Sequence, residues 1–104
     1  MYKCTVCGIV LKDRPAVCPK CGAKEFAELT GEQAALYLKS RDTDLLYVKA
    51  IKAAAKLQEL CVKGIELNLD PPCVSNFGKI QEAAYIIEQM SKAELISHAA
   101  KGKF

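Results

Sequence analysis

The sequence predicts a small α+β protein, an N-terminal metal-knuckle module followed by a bundle of three or four helices, and three observations carry that prediction. Four cysteines fall within the first 21 residues as two Cys-x-x-Cys-Gly knuckles, Cys4-Thr5-Val6-Cys7-Gly8 and Cys18-Pro19-Lys20-Cys21-Gly22. Pro15 and Pro19 forbid a continuous helix across that stretch. From Thr30 onward proline is absent until Pro71, and apolar residues recur at helical spacing. The chain therefore divides into residues 1–29, the knuckle module, and residues 30–104, a helical domain for docking or oligomerisation.

In the module, the run Gly8-Ile9-Val10-Leu11 between the knuckles reads as a short extended segment. Thr30-Gly31-Glu32-Gln33 has a capping-box pattern and opens the helical part. A short first helix is expected from Gly31 to about Ser40, with Asp42-Thr43 capping a longer second one from Thr43 to Leu67. On that second helix Leu46, Ala50, Ala53, Leu57, Leu60 and Gly64 form an apolar row. Lys49, Lys52, Lys56, Glu59, Lys63 and Glu66 form a charged one, which is read as a solvated face before a docking surface for an acidic partner. Asp70-Pro71-Pro72 breaks the helix and places Asn68 to Cys73 in a loop. A third helix follows from Ser75 or Asn76 to Met90, with Phe77, Ile80, Ala84, Ile87 and Met90 inward. Ser91-Lys92-Ala93-Glu94 is a second capping-box pattern, opening a last helix through Ala100 that Gly102 ends, with Lys101 to Phe104 as a frayed tail.

A composition of 51% hydrophobic and 26% charged residues is that of a folded globular chain rather than a disordered one. No apolar run approaches the ~20 residues needed to span a bilayer, so no membrane partner is expected. The chain opens Met1-Tyr2-Lys3-Cys4 without a charged-then-apolar leader, which predicts a reducing, cytoplasmic setting. The formal charge of +3 counts the cysteines as neutral. Five basic and three acidic side chains give residues 1–29 a charge of +2, and four thiolates around a divalent ion cancel it. The ten basic and nine acidic residues that remain are well mixed, so no nucleic-acid partner is expected.

Two residues between cysteines let a tight turn aim both sulfurs at one ion, and a second knuckle alongside completes a tetrahedron. Cys4, Cys7, Cys18 and Cys21 are thus the candidate metal ligands, for zinc or for iron. Disulfides are a weaker alternative because a reducing setting is expected, and a thioredoxin-like redox pair is one because neither knuckle is followed by a clear βαβ crossover. Gly8 and Gly22 follow each second ligand, where a tight turn favours positive φ and amides can point at sulfur. The module has only Tyr2, Ile9, Val10, Leu11, Val17, Phe26 and Leu29 as sizeable apolar groups, too few for a core, so the ion is expected to hold it together.

Tyr2-Lys3-Cys4-Thr5-Val6-Cys7-Gly8 and Cys18-Pro19-Lys20-Cys21-Gly22-Ala23-Lys24-Glu25-Phe26 resemble the knuckles of rubredoxins and of the rubredoxin-like domain that ends rubrerythrins. The resemblance covers residues 2 to about 29 and implies one Fe(SCys)4 site that passes single electrons, with Tyr2 and Phe26 packed beside it. The first knuckle is followed by Ile9 rather than an aromatic residue, and no tryptophan precedes the second. Ten residues between knuckles, with Arg14-Pro15 ahead of Val17-Cys18-Pro19, are also similar to the rubredoxin-like zinc ribbons of acyl-CoA-associated proteins, where the metal is structural. The helices carry no Glu-x-x-His pair, so the di-iron half of a rubrerythrin is absent.

Cys61 on the long helix is expected to be inert packing, and Cys73 after the double proline can pair with it or add a ligand. His98, the only histidine, has no companion nucleophile, and no phosphate loop or dinucleotide motif accompanies it, so the chain is not expected to be an enzyme. The expected function is one-electron transfer through a single iron to or from a protein redox partner or enzyme subunit. The alternative is a structural zinc ribbon with a helical interaction domain. Val48, Ile51, Ala55 and Val62, outside the first apolar row, add the expectation of a homo-oligomer through the helices.

Overall fold

A computed structural model gives the structure of residues 1–101, and the chain divides into two compact units, Met1–Lys39 and Ser40–Phe104. In the first unit three short strands, β1 (Tyr2–Cys4), β2 (Val10–Leu11) and β3 (Phe26–Glu28), form an antiparallel sheet in the order β2-β1-β3. Lys3 lies opposite Val10 on one side and Ala27 on the other, and Cys4 lies opposite Phe26. The strands are short because each knuckle takes the chain out of the sheet to form its turn.

Two helices follow, α1 (Gly31–Leu67) and α2 (Pro71–Ala100). The capping box forms as its sequence predicts: Thr30 Oγ1 accepts from the Gln33 amide at 3.1 Å, and Gln33 Oε1 accepts from the Thr30 amide at 2.9 Å. The expected bundle of three or four helices is corrected to two long helices packed antiparallel. Asp42-Thr43 does not start a new helix, because no glycine or proline lies between Gly31 and Gly64 to stop propagation. The Ser91 capping box fails because no glycine or proline between Gly78 and Ser91 stops α2 ahead of it. Its hydroxyl donates to the Ile87 carbonyl at 2.9 Å inside the continuous α2.

The turn between the helices is three residues long. Asn68 takes a left-handed conformation (φ 48°) that ends α1, and Asp70 caps α2 by accepting from the Cys73 amide at 2.8 Å. Pro71 and Pro72 open the helix instead of preceding it in a loop. They occupy its first two positions, where a missing amide removes no intrahelical bond. Gly102, the expected stop signal, and the tail beyond it lie outside the described residues.

The seam between the helices is not the apolar row that sequence spacing singles out. On α1 the side chains at least half-buried at alternating steps of four and three residues are Ser40, Asp44, Tyr47, Ile51, Ala54, Gln58, Cys61 and Ile65. On α2 they are Val74, Phe77, Gln81, Ala84, Glu88, Ser91, Leu95 and His98. This is the 3.5-residue repeat of a coiled-coil seam. Three contacts tie the rows in antiparallel register. His98 Nδ1 lies 2.6 Å from Asp44 Oδ1, Gln58 Nε2 donates to Glu88 Oε2 at 2.8 Å, and the Phe77 ring covers Gly64. A Cβ added at Gly64 would stand 2.5 Å from that ring, so glycine permits the close approach. Among the described residues, no helix is long and apolar enough to cross a membrane.

Candidate metal centre

The two knuckles fold by one repeated pattern. The Gly8 amide donates to the Cys4 carbonyl at 3.0 Å and the Gly22 amide to the Cys18 carbonyl at 2.9 Å, each closing a turn around its pair of cysteines. The Cys4 amide then donates to Ile9 O at 2.9 Å and the Cys18 amide to Ala23 O at 2.7 Å. Gly8 and Gly22 adopt φ of 80° and 79°, a region costly for any residue with a Cβ. β1 fixes the first knuckle by ending in Cys4, and the Thr5 amide donates to Glu25 O at 3.1 Å, tying that knuckle to the chain that leaves the second.

This folding brings the four sulfurs of Cys4, Cys7, Cys18 and Cys21 within 4.8 Å of one another. Cys4 and Cys21 approach to 3.6 Å, as do Cys7 and Cys18, so the contacts cross between knuckles rather than closing within either. A tetrahedral ion with bonds of about 2.3 Å to sulfur spaces its ligands about 3.8 Å apart. A disulfide requires about 2.05 Å. All four cysteines are free, and the spacing fits one tetrahedrally held metal ion.

The backbone prepares the site for thiolates. The Cys7 and Val6 amides hydrogen-bond the Cys4 sulfur and hold its thiol below the ordinary value. The Cys21 and Lys20 amides do the same for Cys18, bringing it down to about 6. At Cys21 the Ala23 amide pulls in the same direction, but partial desolvation and the hydrogen bonds to its sulfur neighbours outweigh it and push the thiol up to about 12. A cluster this close cannot carry four negative charges unaided, and a cation at its centre removes the conflict. Within the first unit only Cys4 and Cys18 are buried among the described side chains, so the two sulfurs occupy the place of a hydrophobic core.

The remaining candidates are placed elsewhere. Cys61 is fully buried in the helix seam, as inert packing requires. Cys73 sits in the first turn of α2, where the Asp70 carboxylate hydrogen-bonds its thiol and raises it, the reverse of activation. Both are free thiols, and neither belongs to the sulfur cluster. His98 has a structural partner that sequence reading missed: a carboxylate only accepts, so Nδ1 carries the proton toward Asp44. Nε2 lies 3.4 Å from Glu94 Oε2, and Tyr47 meets the ring edge-on at 6.0 Å between centroids. The recurrence of residues 44, 47 and 98 in a four-three repeat is the signal that would have found this cluster. No known family model, no curated protein and no solved structure matches the chain.

Proposed function

We propose that the protein holds one iron ion in its four-cysteine site and carries single electrons to or from a partner enzyme in a reducing compartment. The observation that supports it is the combination of four preorganised sulfurs with one of them, Cys21, at the surface while Cys4 and Cys18 are buried. Iron bound by four thiolates supplies a one-electron couple. The chain's own residues fix the ligand positions through the two glycine turns, and their amides stabilise the charge on sulfur. The exposed edge at Cys21 shortens the path to a partner's cofactor. No catalytic residue is assigned to this chain.

The same spacing suits a structural zinc ion, and the near absence of buried apolar side chains in the first unit favours a metal needed for folding under either identity. A visible spectrum of protein from its native host, before and after dithionite, with metal analysis of the same sample, separates the two. A red protein with one iron per chain that bleaches on reduction is expected. A colourless protein with one zinc per chain would replace electron transfer by a structural ribbon.

A further inference from the structure

The hairpin seam mixes small and polar groups with a few larger ones such as Ile51, Phe77 and Leu95, and a second set of large apolar side chains lies outside it. The α1 row from Leu46 to Gly64 continues to Leu67 with the same alternation of four and three residues as the buried row, about a quarter-turn round the helix. Leu46, Leu60 and Leu67 are 64%, 54% and 82% exposed. On α2 the corresponding row is Ile80, Ala83, Ile87 and Met90, of which Met90 is 63% exposed. Both rows precede their seam in the same rotational sense, and reversing one of two right-handed helices brings such rows to the same side of the pair. The Phe77 ring over Gly64, and a groove of about 420 Å³ lined by Tyr47, Ile87, Met90 and Glu94, lie on that side.

That side carries no charged residue between Thr43 and Leu67 on α1 or between Cys73 and Met90 on α2, and the half-exposed Glu94, one heptad beyond Ile87, marks its end. The opposite side carries Lys52, Glu59, Glu66 and Glu82, all exposed. We propose that the uncharged side is a self-association surface, on which a second copy of the chain seats the same side of its own hairpin. A second heptad row on one helix calls for a helical partner, because knobs at that spacing fit holes at the same spacing. Two adjacent helices offer a partner two helices wide the best match, and an uncharged face meets its own copy without like-charge repulsion. The dimensions agree. A row of about 32 Å along α1 and a pair about 20 Å across give a footprint of about 640 Å², close to the ~800 Å² that each partner contributes to a standard interface.

Light scattering on the size-fractionated full chain, metal-loaded as purified, tests this. The expected mass is twice the 11.4 kDa of one chain. Leu60→Glu is expected to raise the dissociation constant at least about thirtyfold by burying a charge at the centre of the contact, whereas Val62→Glu, on the charged side, is expected to leave it unchanged. Should Leu60→Glu fail to retain its helical circular dichroism, the wild type decides: a dimer melts at higher temperature as its concentration rises. A monomeric mass at every concentration, as when the knuckle unit of the same chain covers the face, would overturn the proposal. So would equal effects of the two variants, or a melting temperature independent of concentration.

Discussion

The two units of this protein reach order by opposite means. The N-terminal unit has three strands of two or three residues and buries only sulfur, so its stability rests on a few strong, directional bonds around one point. The hairpin distributes its stability over rows of weak contacts repeated along two helices of 37 and 30 residues. The difference predicts that the first unit fails at a single site, while the second degrades in increments.

Metal removal is the largest test of that contrast. Binding of a structural ion to four thiolates contributes on the order of 10 kcal/mol. Cys18→Ser, or prolonged chelation, is expected to collapse the amide resonances of residues 1–29 while the helical circular dichroism persists; loss of both together would show that the units are not separable. Overpacking the hairpin comes next. Ala84 is fully buried in the seam, and Ala84→Leu is expected to destabilise by about 3 kcal/mol in denaturant unfolding.

Gly64→Ala pits two terms against each other. Helix propensity favours alanine by about 1 kcal/mol, but the clash with three atoms of the Phe77 ring is worth more, and a net loss of about 1 kcal/mol is expected. Pairing it with Phe77→Leu should recover the propensity gain; if the single change stabilises, the ring is not held against α1. The smallest effect is acidic. The Cys73 amide holds Asp70, and the Lys92 and Gln58 side chains hold Glu88, below their ordinary values of 3.8 and 4.5. Both therefore stabilise the hairpin above those values and lose that contribution as pH falls through their lower folded values. The melting temperature is expected to fall by a few degrees between about pH 5 and about pH 3, and Glu88→Gln should flatten that slope.

The metal centre was legible because its signal is local: four identical ligands at fixed spacing, with glycines where the turns need them. The Thr30 capping box was legible on the same terms, since its partners are three residues apart. The Ser91 box was not, because a capping pattern starts a helix only where the preceding chain has stopped. The helix seam was hidden for a different reason. Apolar periodicity finds the row of greatest hydrophobicity, and here the row through Leu46, Leu57 and Leu60 outranks one containing Asp44, Gln58 and Cys61. The seam was decided instead by size, since Ala54, Ala84 and Gly64 allow the backbones to approach. Of the apolar positions outside the first row, Ile51 falls on the seam and Val48, Ala55 and Val62 on the charged side.

The Asp44–His98 and Gln58–Glu88 pairs also act as a key to alignment. Small residues repeated every seven positions tolerate sliding, because alanine facing cysteine packs much as alanine facing alanine. A slip of one heptad in one direction would set His98 against Ile51 and Glu88 against Ile65, stranding both polar groups on apolar neighbours. Two keyed positions, 14 residues apart on α1, leave a single alignment in which both are satisfied. The hairpin thus trades adhesive strength along its seam for an unambiguous length, as a ruler with two notches can be laid against its mate in only one way.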